Sequence, residues 1–251
     1  MSFSVNDSSA TNFFANLNNQ KLDHSLKQLA SGSKLNSAAD DAASLAIANN
    51  FGAQVREAGQ SIMNANDSIG MIQIADTAVS GISENMDSIR DLTLRASSPA
   101  MNSANRASIQ NEINDLMKSS TQMADSSSYN GISLLNGSNG SLANVSSILD
   151  TQIDVSSEGG LEAALESIDT ARNSLGAIRS DFGSSQNQLL SEIRHTSVFQ
   201  VNAASAESNL RDVDFAQESA NFSQANLMSQ VGSFAQSQSN AVAENVTRLF
   251  Q

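Results

Sequence analysis

The stretch VREAGQSIMNANDSIGMIQIADTAVSGISENMDSI, residues 55–89, decides the fold that this sequence predicts. Its apolar side chains recur at gaps of three and four, and they are Val55, Ala58, Ile62, Ala65, Ile69, Ile72, Ala75, Val79, Ile82, Met86 and Ile89. This spacing lines one face of a helix and is typical of a coiled-coil seam. The pattern extends from about Ser37 to Ala96, which predicts a helix of roughly 85–90 Å. Pro99 ends it, because the residue before a proline disfavours the helical region.

Further helices flank this seam. The predicted helices are about 10–31, 37–96, 105–126, 161–208 and 209–251, the last after a break near 211–214. Gly32 is placed to terminate the first helix. Ser37 is a good N-cap for the second, and Asp40 and Asp41 fall where the helix dipole favours negative charge. Seven-residue spacing marks the last two helices, through Leu161, Ile168, Leu175, Phe182 and Leu189, and through Met228, Ala235, Val242 and Leu249.

Residues 129–160 break the helical pattern. Asn-Gly occurs three times, at 130–131, 136–137 and 139–140, and this pair favours tight turns. Residues 151–155 alternate as in a short strand. We therefore expect loops with a small β-hairpin in this region.

The predicted fold class is all-α dominated, with long antiparallel, coiled-coil-like helical rods and a small β-hairpin near the middle of the chain. One proline and 13 glycines in 251 residues leave few helix breakers. The two ends are expected to pair as antiparallel amphipathic helices. Because such a pair buries little apolar surface, we expect it to order fully only when stripes from many subunits pack together.

Charge and composition exclude several classes of function. The formal net charge is −13, which argues against nucleic acid and against an anionic membrane surface as partners. No run of 18 apolar residues predicts a membrane span. The sequence contains no cysteine, so disulfides and thiolate chemistry are excluded. The first residues do not resemble a secretory signal peptide, so a secreted chain would need another export route.

A catalytic constellation is also absent from the sequence. The two histidines, His24 and His195, have no second histidine or cysteine at ligand spacing. We find no phosphate-binding glycine loop, nucleophile elbow or zinc-protease motif. The sequence therefore predicts a protein that is not an enzyme and that binds no cofactor or metal.

Several ordered blocks resemble bacterial flagellins. Residues 29–48, LASGSKLNSAADDAASLAIA, are similar to the amino-terminal signature of that family, and residues 64–70 with 74–76 resemble its next block. Residues 175–179, LGAIR, and 206–216, AESNLRDVDFA, resemble the carboxy-terminal block, and the end NVTRLFQ resembles that of flagellins. The resemblance covers nearly the whole chain apart from about residues 132–160.

The resemblance implies a minimal flagellin built from the inner (D0) and outer (D1) helical domains alone. Its expected segments are the N-terminal D0 helix 1–36, the N-terminal D1 helices 37–131, the loop and β-hairpin 132–160 in place of variable domains, the C-terminal D1 helix 161–208 and the C-terminal D0 helix 209–251. The implied function is a structural subunit that polymerises into the extracellular flagellar filament for motility. The alternative within the flagellum is a hook–filament junction protein, although Asp40-Asp41-Ala42 fits flagellins better.

The resemblance also implies partners. They are other copies of the chain or other flagellins, a flagellar export chaperone, and the junction and cap proteins, with export through the type III apparatus. Residues 86–95 resemble the segment recognised by an innate immune receptor, and Ile89, Arg90, Asp91 and Leu92 are its receptor-like positions. Asp87 and Ser88 depart from the family there, which predicts weakened recognition.

The apolar stripes predict one further set of positions, and the resemblance to flagellins, which often carry O-linked sugars in this loop, implies another. The predicted subunit-packing residues are Phe14, Leu22, Leu29, Ile62, Ile69, Met228, Phe234, Val242 and Leu249. The predicted glycosylation acceptors are Ser138, Ser141, Ser146 and Ser147, where the competing interpretation is a plain flexible loop.

Two alternatives to a structural flagellin are also considered for the function of this chain. A secreted coiled-coil effector or adhesin would account for the heptads but not for the ordered blocks. A filament enzyme would need a central catalytic domain, for which residues 132–160 leave little room.

Overall fold

The computed structural model describes residues 6–138, 140–157 and 159–249. These residues form the helices α1 (Asn6–Ser31), α2 (Ala38–Ala96), α3 (Ser103–Ser126), α4 (Ser146–Leu149), α5 (Gly160–Arg211) and α6 (Phe215–Leu249). Two short antiparallel strands, β1 (Ser128–Tyr129) and β2 (Ile132–Ser133), form the hairpin. The all-α dominated fold class with a small central hairpin is confirmed.

Contacts divide the described residues into two units. The terminal unit comprises those within Met1–Glu57 and Phe199–Gln251, and the central unit those within Ala58–Val198. The limits of the units fall inside α2 and α5, whereas the sequence places its domain limits at 36/37 and 208/209. Those domain limits stay a prediction.

The start of α2 depends on two neighbouring aspartates with different tasks. Asp41 has extended backbone angles (φ −165°, ψ 102°), and its carboxylate accepts the N–H groups of Ala43 and Ser44, each at 3.0 Å. Asp40 accepts the N–H groups of Asn36 (2.9 Å) and Ser37 (2.8 Å) and so shapes the preceding loop. Helix α2 is kinked at Asp41, and Asp41 is the N-cap of the long part that follows the kink. The assignment of the N-cap role to Ser37 is wrong.

The same hydrogen bonds act on the acidity of both carboxyls. The backbone N–H of Ser37 lowers the pKa of Asp40, with a further contribution from Asn36. The hydroxyl and the N–H of Ser44 lower the pKa of Asp41. Both carboxyl groups are thereby kept ionised, which is the form that accepts backbone hydrogen bonds best.

The central unit holds the hydrophobic core. Side chains from α2, α3 and α5 meet there, and the largest fully buried ones include Val79, Ile82, Met86, Ile89, Ile113, Ile168 and Leu175. The seam predicted over residues 72–89 is the α2 face of this core, so that prediction is confirmed. Toward the start of α2, Val55 and Ile62 are half-buried.

The hairpin turn follows the Asn-Gly rule. Asn130 (φ 50°) and Gly131 (φ 79°) both lie in the left-handed region, as the turn that matches strand twist requires. Gly137 (φ 74°) also lies in the left-handed region, and its lack of a side chain lets Asn144 approach closely. A Cβ atom there would lie 2.6 Å from Cγ of Asn144, so a side chain at this position would force the Asn144 side chain to move and would strain the backbone.

The predicted strand at residues 151–155 is wrong. Ile153 and Val155 are buried, but their backbone pairs with a side chain of α3 instead of a strand. The Gln110 amide donates to the Ile153 carbonyl (2.8 Å) and accepts the Val155 N–H (2.7 Å). One glutamine thus satisfies the two backbone groups that a neighbouring strand would have bonded.

Replacing Gln110 by alanine is expected to destabilise the central unit by about 1–3 kcal/mol, because two partly buried backbone groups lose their partners. Hydrogen exchange of the Val155 amide should accelerate markedly, and denaturant unfolding should measure the free energy. Gln122→Ala, at an exposed position of the same helix, is the control and should change neither. An unchanged Val155 exchange rate in Gln110→Ala would contradict this account.

Candidate assembly surfaces

Helices α1 and α6 pack against each other in antiparallel fashion within the terminal unit. The Ser229 hydroxyl donates to Oδ1 of Asn19 (3.1 Å), and nearer the unit's loops Ser33 forms an antiparallel bridge with Asp212. Residue numbers rise along α1 while they fall along α6. The antiparallel pairing of the two terminal helices is therefore as the sequence predicted.

The seam between these helices is poor in apolar side chains. Half-buried residues recur along α6 at gaps of three and four, and they are Glu218, Phe222, Ala225, Ser229, Gly232, Gln236 and Ser239. Their counterparts on α1 are Ala15, Asn18, Leu22, Ser25 and Leu29. Most of them are small or polar, so the pair gains little stability from hydrophobic burial.

Five exposed apolar side chains of α6 lie on the opposite side of the helix. We call this the α6 apolar face, and its exposed members are Leu227, Met228, Val231, Phe234 and Val242. Phe234 is 71% exposed and Val231 62%. A contiguous apolar surface of this kind marks an interaction site.

Helix α1 also exposes an aromatic pair. Phe13 and Phe14 are 66% and 61% exposed, and their rings meet edge to face with centroids 6.1 Å apart. Of the residues predicted to pack between subunits, Phe14, Met228, Phe234 and Val242 are thus exposed on one chain. Leu22 and Leu29 are half-buried in the α1–α6 seam, and the side chain of Leu249 lies outside the described residues.

The two predicted packing residues of α2 occupy different environments. Ile62 is half-buried, whereas Ile69 is buried within the central unit. Ile69 therefore contributes mainly to the fold of one chain, and with 9% exposure it offers little surface to a neighbour.

Two loops of the terminal unit are held together next to the α1–α6 pair. The Lys34 N–H donates to the Arg211 carbonyl (2.6 Å), and the Val213 N–H donates to that of Gly32 (3.1 Å). Gly32 has φ 67°, which suits its predicted role as the end of α1. The Arg211 side chain donates to Glu207 (2.7 Å) and to Asn49 (2.6 Å). Backbone and charged side chains thus fix the point from which α1 and α6 extend.

The receptor-like segment offers less surface than its sequence suggests. Ile89 and Leu92 are buried in the core, so they are unavailable to a partner protein. Arg90 donates to Asp169 of α5 (2.9 Å), and Asp91 is exposed. Of the four receptor-like positions, Asp91 presents an exposed side chain and Arg90 a partly exposed one that is paired with Asp169.

Ion pairs between α2 and α5 flank this segment. Besides the Arg90 pair, Arg172 donates to Asp87 (2.6 Å) and Arg179 to Asp76 (3.0 Å). All these groups are about half exposed, so each pair contributes at most about 1 kcal/mol. They set the register of the two helices more than they stabilise them.

The four predicted glycosylation serines differ in access. Ser138 and Ser147 are exposed, whereas Ser141 and Ser146 are half-buried. The Ser138 hydroxyl donates to Oδ1 of Asn136 (2.6 Å), and that of Ser147 donates to the Asn144 carbonyl (3.1 Å). Steric access favours Ser138 and Ser147 as acceptors, and the modification itself stays a prediction.

In the described ranges, no group of three or more His, Asp or Glu side chains is arranged to hold a metal ion. His24 faces Asp40, with Nε2 3.2 Å from Oδ1. Within the same ranges, no helix combines the length and apolarity that a bilayer crossing needs.

The fold and these surfaces define a class of proteins: long-helix subunits whose paired terminal helices leave an apolar face uncovered. Two family models place the chain within that class. The model described as the bacterial flagellin N-terminal helical region matches residues 5–140. The model of the bacterial flagellin C-terminal helical region matches residues 165–250. The chain belongs to the bacterial flagellin family.

Curated relatives agree with this membership. Flagellin B of Helicobacter pylori is 53% identical over 97 residues, which is 39% of this chain and 19% of that protein. The chain thus spans about a fifth of the length of the Helicobacter relatives that it matches. The flagellin of Bacillus subtilis is 26% identical over 93% of this chain and 94% of its own length. The 31.3 kDa flagellar filament core protein of Treponema maltophilum is 26% identical over 90% and 91%.

A solved structure supports the fold. The crystal structure of Bacillus cereus flagellin aligns with a TM-score of 0.50 and 20% identity, over 53% of this chain and 88% of the other. Residues 141–164 lie between the two matched family regions. The central part of this chain therefore holds a short connection and no large inserted domain.

Proposed function

We propose that this chain is a structural subunit that polymerises into the extracellular filament of the bacterial flagellum. The observation that carries the proposal is the α6 apolar face, which a single chain leaves exposed. Membership of the flagellin family supports the same function, as does the relative named as a filament core protein.

Hydrophobic burial between subunits would drive the assembly. Burying a Leu, Val, Met or Phe side chain contributes about 1.5–3 kcal/mol, and the five residues of the α6 apolar face are each at least half exposed. The α1–α6 seam, by contrast, is largely small and polar. The pair would therefore hold its geometry in one chain and gain most of its stability from neighbours.

The domain assignment is part of this proposal. Residues 1–36 and 209–251 would form the inner tube, and residues 37–131, 132–160 and 161–208 the outer tube. The core within Ala58–Val198 supports an outer domain that folds in the single chain. The uncovered face of α6 supports an inner domain that depends on neighbours.

Partners other than further copies of the chain follow from the same surfaces. An export chaperone would cover the α6 apolar face before secretion, since that face would otherwise promote premature assembly. Junction and cap proteins would meet the two ends of the filament. Recognition by an innate immune receptor would be weak, because two of the four receptor-like side chains are buried.

We propose no catalytic role for the chain. Flagellins are structural proteins, and the sequence shows no catalytic motif. The hook–filament junction remains the alternative within the flagellum. Polymerisation into long filaments separates the two, because a junction protein would stop at short oligomers.

Electron microscopy of the purified chain after seeding with filament fragments tests the function. We expect long tubes from the intact chain and none from variants that lack residues 1–30 or 215–251. Tyr129, the one tyrosine, packs against the central core, so its fluorescence should show that both deletion variants keep that core folded. A chain that stays monomeric or forms short oligomers under every seeding condition would contradict the filament function.

A further inference from the structure

The sulfur of Met228 occupies an unusual position on the terminal unit. Its side chain is 51% exposed and belongs to the α6 apolar face beside Leu227 and Val231. The same side chain lines a groove of about 600 Å³ between α1 and α6, together with Leu17, Asn221 and Gln224. Met228 thus borders both an apolar surface and a partly polar groove.

Few other methionines of the described chain are as exposed. Met86 is 1% exposed, and Met71, Met101, Met117 and Met123 are half-buried. Met63 on α2 is 59% exposed, and it lies among polar neighbours such as Gln60 and Asn64. The sequence contains no cysteine, so thiols do not compete for an oxidant. Among the methionines that the structure describes, a peroxide would therefore react first at Met63 and Met228.

We infer that Met228 is an oxidation site that controls whether the free subunit can assemble. The inference rests on the proposed filament function, because it concerns a face that assembly would cover. The reaction is an oxygen transfer from hydrogen peroxide. The sulfur lone pair attacks one peroxide oxygen, the O–O bond breaks, the thioether is oxidised to the sulfoxide, and the second oxygen leaves as water.

The sulfoxide changes the balance between the free and the assembled subunit. Its oxygen is a strong hydrogen-bond acceptor, and the neighbouring side chains of Leu227 and Val231 carry no donor. Burying it against a neighbour would leave that acceptor unpaired. In the free subunit the groove offers the amide groups of Asn221 and Gln224 and access to water. Oxidation of Met228 therefore favours the free subunit without disturbing its fold.

Met63 provides an internal comparison. Its side chain is at least as exposed as that of Met228, so peroxide should oxidise both at similar rates. Met63 lies outside the apolar face and within the central unit. Its sulfoxide is therefore expected to leave assembly unchanged.

The test compares seeded polymerisation of the full-length chain before and after treatment with hydrogen peroxide. Sedimentation gives the critical concentration, and peptide mass spectrometry gives the oxidised fraction at each methionine. Full oxidation of Met228 should raise the critical concentration about tenfold, the equivalent of one unpaired polar group. Met228→Leu removes the sulfur while keeping the apolar volume, so its own critical concentration should be the same before and after treatment. Met63→Leu keeps Met228, so treatment should raise its critical concentration as it does for the natural chain.

Each result bears on one claim. If untreated chain fails to polymerise, the proposed filament function is wrong. If untreated chain polymerises and chain fully oxidised at Met228 does so at the same concentration, this inference alone is wrong. Treatment of the oxidised chain with a methionine sulfoxide reductase should restore assembly. A loss of assembly that persists after reduction of Met228 would also overturn the inference.

Discussion

Replacing Val231 and Phe234 together by glutamine is expected to raise the critical concentration for polymerisation by roughly a hundredfold or more. Both side chains lie on the α6 apolar face and are more than half exposed in the single chain. If assembly buries them, the variant loses about 3 kcal/mol or more of hydrophobic stabilisation per subunit. Seeded polymerisation followed by sedimentation would measure the change.

The free subunit should tolerate this double substitution. Neither side chain faces the α1–α6 seam, and glutamine is at least as good a helix former as valine or phenylalanine. The helical circular dichroism of the monomer is therefore expected to stay the same. Ser233→Gln places the same new side chain at a polar, exposed position of α6 and should polymerise normally. An unchanged critical concentration in the double variant would show that this face is not an assembly surface.

The terminal helices show what a heptad pattern does and does not specify. The seven-residue spacing of Met228, Ala235 and Val242 correctly predicts that one side of α6 is apolar. It does not say whether that side faces α1 or another chain. On this chain α1 packs against the side that carries Ser229 and Gly232. Because small residues allow close approach of two helices while apolar stripes need a partner, the two sides of α6 have separate tasks.

The long α2 seam was the most predictable part of the fold. Its apolar spacing from Ile72 to Ile89 is sustained over several turns, and every predicted seam residue in that range is buried. The beginning of the helix was less predictable. Ser37, Asp40 and Asp41 are all acceptable N-caps by residue type, and the choice of Asp41 depends on the loop geometry that Asp40 stabilises.

The region after the hairpin could not be predicted from periodicity. Leu134, Leu135, Val145 and Val155 are all fully buried, yet their spacing fits neither a helix nor a strand. Their backbone groups are satisfied by scattered bonds, such as the Leu134 N–H to the Ser127 carbonyl (2.9 Å) and the Val145 N–H to the Leu135 carbonyl (2.9 Å). A sequence of turns and isolated apolar residues thus forms part of the core. No local sequence pattern identifies such residues, because their burial depends on the helices with which they share the core.

This hidden part of the core leads to the second large effect, in Leu135→Ala. The side chain of Leu135 has no exposed surface, and its removal leaves a cavity among residues of the central core. We expect a loss of about 2–5 kcal/mol in the free energy of unfolding. The melting temperature of the central unit should fall by about 5–15 °C. Tyr129 fluorescence and circular dichroism would follow the transition.

Leu142→Ala is the matched control for this prediction, since it makes the same truncation in the same segment between β2 and α4. Leu142 is 37% exposed, and its N–H bond to the Leu134 carbonyl (2.8 Å) is retained by alanine. Its cost should stay within about 1 kcal/mol. Equal and small effects of both substitutions would mean that residues 134–155 are a loosely packed loop. A large effect confined to Leu135 would establish that the residues after the hairpin, at the end of the N-terminal flagellin region, are themselves a component of the folded core.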